Sequence, residues 1–205
     1  MSRRDPAVQP ADSARGPRPK APGGSGAEHV THIIAGEFAV VTEPDRVLAT
    51  TLGSCVAACL HDPVRRIGGM NHFLLPEAPG DKLSPSARYG SVSMERLVNG
   101  LLSRGAQRRD LVAKVFGGAS FGEWSSGIGL RNVEFVMAYL ADEGIPTLAW
   151  DVGGTNARAV RYIPVTGEGF VRTIGMATAL EVARREREHQ RRLREQPVEG
   201  EVELF

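Results

Sequence analysis

Cysteine is nearly absent from this chain of 205 residues: there are two, Cys55 and Cys59. Four apart on one predicted strand, they are poorly placed to bridge each other. A disulfide framework is thereby excluded, and a reducing, cytoplasmic location is expected. Charge of one sign is lacking too. Lys plus Arg number 25 against 24 Asp plus Glu, for a formal net charge of +1. No global field calls for nucleic acid or an anionic membrane. No apolar run approaches the ~18 residues of a membrane span. Arg3 and Arg4 are followed by no apolar stretch, so the start does not read as a secretory signal. The glycine pairs Gly117-Gly118 and Gly153-Gly154 have neither the Lys-Ser/Thr of a phosphate-binding loop nor a dinucleotide spacing.

What is present is enough apolar material, 41% of residues, for one sizeable core. Residues 1–28 are rich in Pro, Gly, Ser, Ala and Arg and nearly devoid of large apolar side chains, so a disordered tail is expected there. Short β-rich segments follow: Val30–Ile34, Phe38–Thr42, Val47–Thr51, Cys55–Leu60 and Ile67–Leu75, punctuated by Gly36, Pro44-Asp45 and Asp62-Pro63. Met94, Leu97, Val98, Leu101 and Leu102 form the stripe of an amphipathic helix, with Gly105 as its stop. Leu111–Phe116 reads as a strand. Val133, Val136, Met137 and Leu140 mark a second helix, Pro146–Val152 a further strand, and Ala157–Val165 with Gly169–Thr173 a hairpin around Thr166-Gly167. Ala177–Arg194 is helical by composition but loaded with Arg and Glu. Its weak apolar face of Leu180, Ala183 and Arg187 suggests a solvated terminal helix. The expected organisation is therefore a tail over 1–28, a domain over 29–175 and a charged appendage over 176–205. Strands followed by helices among further strands predict an α/β or α+β layered domain with a mixed sheet.

Two residues carry the chemistry. Cys55 follows the small turn Leu52-Gly53-Ser54, and His72 lies on the next predicted strand in Gly68-Gly69-Met70-Asn71-His72. A neighbouring imidazole favours the reactive thiolate by taking its proton. A glycine-containing turn leaves room for substrate and can aim a backbone N–H at a developing oxyanion. Asn71 could hold a ring or a substrate amide. A rival reading gathers Cys55, Cys59, His61 and His72 around zinc, yet three such ligands on one extended strand spread over more than ~13 Å at about 3.3 Å per residue, too far for one ion. Asp151, Asn156 and Arg158 cluster about the second glycine pair, and an Asp–Arg pair bracing a loop is the reading favoured there.

The motifs Leu52-Gly53-Ser54-Cys55-Val56, Asp62-Pro63, Gly69-Met70-Asn71-His72-Phe73-Leu74-Leu75-Pro76, Lys114-Val115-Phe116-Gly117-Gly118-Ala119, Ile128-Gly129-Leu130-Arg131-Asn132-Val133 and Asp151-Val152-Gly153-Gly154 with Arg158 stand in an order that resembles the CheD family of chemoreceptor glutamine deamidases. The resemblance runs from about Ile33 to Thr173. It implies an α/β three-layer sandwich and cysteine-dependent hydrolysis of receptor glutamine side chains to glutamate through a thioester, with no cofactor and no metal. The family's nucleophile matches Cys55 and its histidine His72. Thr50 and Thr51 both compete for its threonine, and Thr50 is preferred. The partners implied are methyl-accepting chemotaxis receptors and a phosphatase of the CheC type, with no nucleic acid and no membrane insertion. A non-catalytic receptor- or CheC-binding adaptor is the alternative.

Overall fold

In the computed structural model of the chain, residues 29–75, 85–120 and 127–195 are described; the expected tail over 1–28 lies outside them. Among the described residues, nine strands and three α-helices follow in chain order: β1 (His29–His32), β2 (Phe38–Val41), β3 (Arg46–Leu52), β4 (Val56–Asp62), β5 (Ile67–Asn71), α1 (Pro85–Leu102), β6 (Val112–Gly117), α2 (Ile128–Asp142), β7 (Thr147–Val152), β8 (Arg158–Ile163), β9 (Glu168–Thr173) and α3 (Met176–Glu195). The strands divide into two mixed sheets, one ordered β1-β3-β8-β9 and the other β2-β5-β4-β6-β7. Helices α1 and α2 pack against the second sheet. The result is an α/β fold in three layers, two of them sheets.

Strand β4 shows why the layers form. Every one of its residues is buried. Side chains alternate between the two faces of a strand. Val56, Ala58 and Leu60 join the core with Met94, Leu97, Val98 and Leu101 of α1 and Val136 and Leu140 of α2. Ala57 and Cys59, with Cys55 just before the strand, face the other sheet and its Leu48, Leu52, Val160 and Tyr162. The Tyr162 hydroxyl donates to the Leu60 carbonyl at 2.9 Å, a bond between the two sheets. Close approach is enforced at Gly68, where a Cβ would lie 2.2 Å from the Pro164 carbonyl oxygen.

Two strand boundaries position Cys55 and His72. The chain leaves the first sheet at Leu52 and enters the second at Val56, so residues 53–55 cross between sheets. Strand β5 ends at Asn71, earlier than the sequence pattern suggests. The Asn71 side chain is the reason. Its Oδ1 accepts the Ala58 N–H at 3.0 Å, a donor the ladder would otherwise use, and pairing resumes only at the Val56–Phe73 bridge. Asn71 thus serves the strand pair, and its amide reaches Ser93 of α1 rather than a substrate.

Candidate active site

The turn 53–55 is held from one side. The Gly53 carbonyl accepts from Ala119 N at 2.8 Å and the Cys55 carbonyl from Gly118 N at 2.8 Å. Between them the Ser54 carbonyl accepts from Asn132 Nδ2 at 2.7 Å. Gly117 makes this possible: at φ 109°, and with a would-be Cβ 2.2 Å from the Cys55 carbonyl oxygen, no other residue fits. Three successive carbonyls are fixed outward, and the three successive amides face the opposite way. Such a run of N–H groups makes a concave seat for an anion.

That seat is filled by a side chain from the far end of the chain. Glu186 of α3 accepts from Gly53 N and Cys55 N on Oε1, at 2.8 and 3.2 Å, and from Ser54 N and Ser54 Oγ on Oε2, at 2.8 and 2.7 Å. It is only 4% exposed.

His72 stands immediately after β5, with its N–H on the Glu37 carbonyl and its own carbonyl accepting from Gly36. Its Nδ1 lies 2.8 Å from Thr50 Oγ1. The proton on this contact is fixed by the next bond. Thr50 Oγ1 is also 2.7 Å from the Ile33 carbonyl, which can only accept, so the hydroxyl proton points there. Thr50 must then accept from Nδ1–H, and the 3.3 Å contact of Nδ1 with the same carbonyl asks for the same proton. Nε2 is left as the bare lone pair, buried and without a hydrogen-bond partner. Thr51, the competing threonine, is exposed on the other face of β3.

Ligand atoms of Cys55, His72 and Glu186 all come within 4.8 Å of one another. Burial holds the His72 pKa below its usual value, opposed by the nearby Glu186 charge, so the neutral imidazole is ready to accept a proton. Burial, then the Glu186 charge and a hydrogen bond to it, push the Cys55 thiol well above the usual range. The site as folded therefore holds a protonated thiol. The same spacing is open to a metal ion, but the dipoles of three backbone amides point into it and both Glu186 oxygens are engaged by donors. Its field suits an anion.

The rival ligand set does not come together. Cys59 lies in the intersheet core, paired across from Met70 and Lys114. His61 is packed beneath Gly167, and among the described residues neither joins Cys55 and His72 as a possible metal group. Arg158 clasps Asp151 through Nε and Nη2, at 2.9 and 2.8 Å, and braces the Asn156 carbonyl, as the loop reading expects. Two contributors escape the sequence reading. Asn132 is fully buried and ties Ser54 to Leu75, whose N–H its Oδ1 accepts at 2.9 Å, so one side chain joins the segments carrying Cys55 and His72. Glu186 is the other. The inward face of α3 is Ala179, Val182, Ala183 and Glu186, while Leu180 is 60% exposed. Spacing of i, i+3, i+4, i+7 was the available signal.

A layered α/β domain here brings together a thiol, an imidazole and an amide-lined anion seat at a sheet-to-sheet crossing, the kinds of group that nucleophilic acyl transfer uses. The chain belongs to the CheD family. The family model described as CheD chemotactic sensory transduction matches residues 74–173. A Rhodopseudomonas palustris protein named probable chemoreceptor glutamine deamidase CheD is 45% identical over 176 residues, covering 84% of this chain and 83% of its own length. Proteins of the same name from Xanthomonas campestris pv. campestris, 51% identical over 168 residues (81% and 84% of the two chains), and from Rhizobium etli, 46% identical over 186 residues (88% and 98%), agree. Among solved structures, a Bacillus licheniformis hypothetical protein YfiH aligns at a TM-score of 0.35 and 15% identity over 56% of this chain and 49% of its own, a likeness too slight to bear on the site.

Proposed function

We propose that this protein hydrolyses glutamine side chains of chemoreceptors to glutamate, with Cys55 as nucleophile, His72 as general base and acid, and Thr50 as the residue that positions His72. One observation carries the reading: the His72 ring, its Nε2 buried without a hydrogen-bond partner, has a nitrogen within 4.8 Å of the Cys55 thiol and of the Glu186 carboxylate that sits on the amides of residues 53–55. An adaptor has no use for this arrangement. The relatives' shared name supplies the substrate class.

The steps follow from the atoms. A substrate carboxamide places its oxygen on the amides of 53–55. His72 Nε2 takes the thiol proton as Sγ bonds to the amide carbon, and the oxyanion settles in the seat. The C–N bond breaks as the imidazolium returns its proton to nitrogen, and ammonia leaves. Water then attacks the thioester, giving its proton to Nε2; the C–S bond breaks, the thiol is reprotonated by the imidazolium, and a carboxyl group remains. Thr50 keeps Nε2 facing the thiol by holding the proton on Nδ1. Lacking an aspartate's charge, it stabilises the imidazolium less.

Residues 29–175 are the deamidase unit in this reading and 176–205 an appendage to it. Among the described residues no helix is long and apolar enough to cross a membrane. Action on the cytoplasmic part of the receptors, with a CheC-type phosphatase as second partner, is supported by the family resemblance. Incubating the chain with a glutamine-bearing receptor fragment and hydroxylamine tests the chemistry, because hydroxylamine intercepts a thioester. Glutamyl hydroxamate on the fragment, absent with Cys55→Ala, is expected. Glutamate formation that hydroxylamine never diverts, at equal rate in Cys55→Ala, would refute it.

A further inference from the structure

We propose that α3 is a tethered mimic of the reaction product: Glu186 occupies the place of the receptor glutamate, and α3 covers the face on which a receptor helix docks. The proposal rests on the deamidase reading. Three observations support it. First, the Glu186 carboxylate makes four donor contacts with the seat, through Gly53, Ser54 and Cys55, and lies within 4.8 Å of the Cys55 and His72 ligand atoms. A newly formed glutamate side chain would present this same group at this same place. Second, it arrives on an α-helix, so the face around the seat accepts a helix. Ala179, Val182 and Ala183 on the same side of α3 as Glu186 are buried, and His189, one turn beyond Glu186, reaches Gly36, where a would-be Cβ lies 3.4 Å from its Cε1. Third, the attachment is concentrated. Two alanines and one valine bring little apolar surface, and the rest of the described helix is largely Arg and Glu turned to solvent. Removal of one carboxylate should release it.

With α3 docked, the Cys55 thiol is sealed, and the negative charge beside it opposes thiolate formation. The substrate must find the seat vacant. Occupancy by α3 therefore lowers both thiol reactivity and turnover to the fraction set by the molecules in which the helix is away.

The test uses full-length variants. Glu186→Ala is compared with wild type in the rate of iodoacetamide alkylation of Cys55, read by peptide mass, and in deamidation of a receptor fragment. Both rates should rise about ten- to a hundredfold, the factor for an open state populated at about 1–10% in wild type. Cys59 is the internal control: buried in the core, it stays unmodified if only the helix has left and reacts if the fold has opened. Glu186→Gln supplies a second readout. It places a tethered carboxamide where substrate should sit, so the introduced glutamine is expected to revert to glutamate, and to persist when Cys55→Ala is added. Peptide mass reads that change directly. Unchanged alkylation and deamidation in Glu186→Ala, or a rise accompanied by equal modification of Cys59, would overturn the proposal. So would an introduced glutamine that persists in a chain that deamidates receptor fragments. If no variant deamidates the fragment while Cys55 alkylation still accelerates, α3 covers the thiol but the deamidase reading fails.

Discussion

The two halves of this site are built differently. The turn of residues 53–55 is bonded into the fold on three consecutive carbonyls, from a glycine-rich loop and from the buried Asn132. The helix that closes over it brings one carboxylate and three small apolar side chains. The first half cannot move without breaking buried hydrogen bonds, each costing about 1–3 kcal/mol if a group is left unpaired. The second can depart and leave the seat intact. A preorganised seat with a detachable cover separates the chemistry from control of access to it, and substitutions in the two halves should have effects of opposite sign.

On the seat side, the largest effect belongs to Cys55. Cys55→Ala should abolish deamidation with the melting transition retained, since nothing else described near His72 can form the thioester. Turnover in a folded Cys55→Ala chain would end the assignment. Next comes His72→Ala, expected to lower turnover by about 10²–10⁴-fold. It should also move the alkylation profile of Cys55 to higher pH, because the thiol loses its proton acceptor while burial and Glu186 still disfavour the thiolate. An unmoved profile would break the pairing.

Smaller effects sharpen the contrast. Asn132→Ala leaves the Ser54 carbonyl and the Leu75 N–H unpaired, so thermal or denaturant unfolding should show a loss of about 2 kcal/mol, together with reduced turnover. A stable variant with normal rates would mean the turn does not need its brace. Thr50→Val removes the acceptor for Nδ1–H at nearly constant volume. About 1 kcal/mol, or roughly fivefold in turnover, is expected, against no change for Thr51→Val. Smallest of all is Leu180→Ala on the exposed side of α3, which should stay within about 0.5 kcal/mol of wild type in unfolding and leave turnover alone.

The elements, and the candidates Cys55 and His72 that the structure brings close together, were legible because both rest on local signals. Alternation puts Thr50 and Thr51 on opposite faces of β3; the resemblance offered both with Thr50 preferred, and it is Thr50 that is buried and bonded to His72. Two features lay beyond local reading. Periodicity within β3 and β4 does not reveal that the turn between them changes sheets, because a strand looks the same whichever neighbour it pairs with. The Arg- and Glu-rich composition of α3 reads as a solvated helix, and the Ala179, Val182, Ala183 stripe is too small to advertise burial. Glu186 is one of several glutamates there. Only the three amides of residues 53–55, which Glu186 satisfies, give a carboxylate reason to enter.

The central claim is that the Cys55 thiol, activated by His72 on a preformed seat, converts glutamine to glutamate once the seat is vacant. Ammonia release from a glutamine-bearing chemoreceptor fragment, followed with the Glu186→Ala chain and with that same chain carrying Cys55→Ala, tests it most directly. The account predicts stoichiometric ammonia and new glutamate with the first and neither with the second. Equal ammonia from both, or none from either with a folded protein and an alkylatable Cys55, would contradict it.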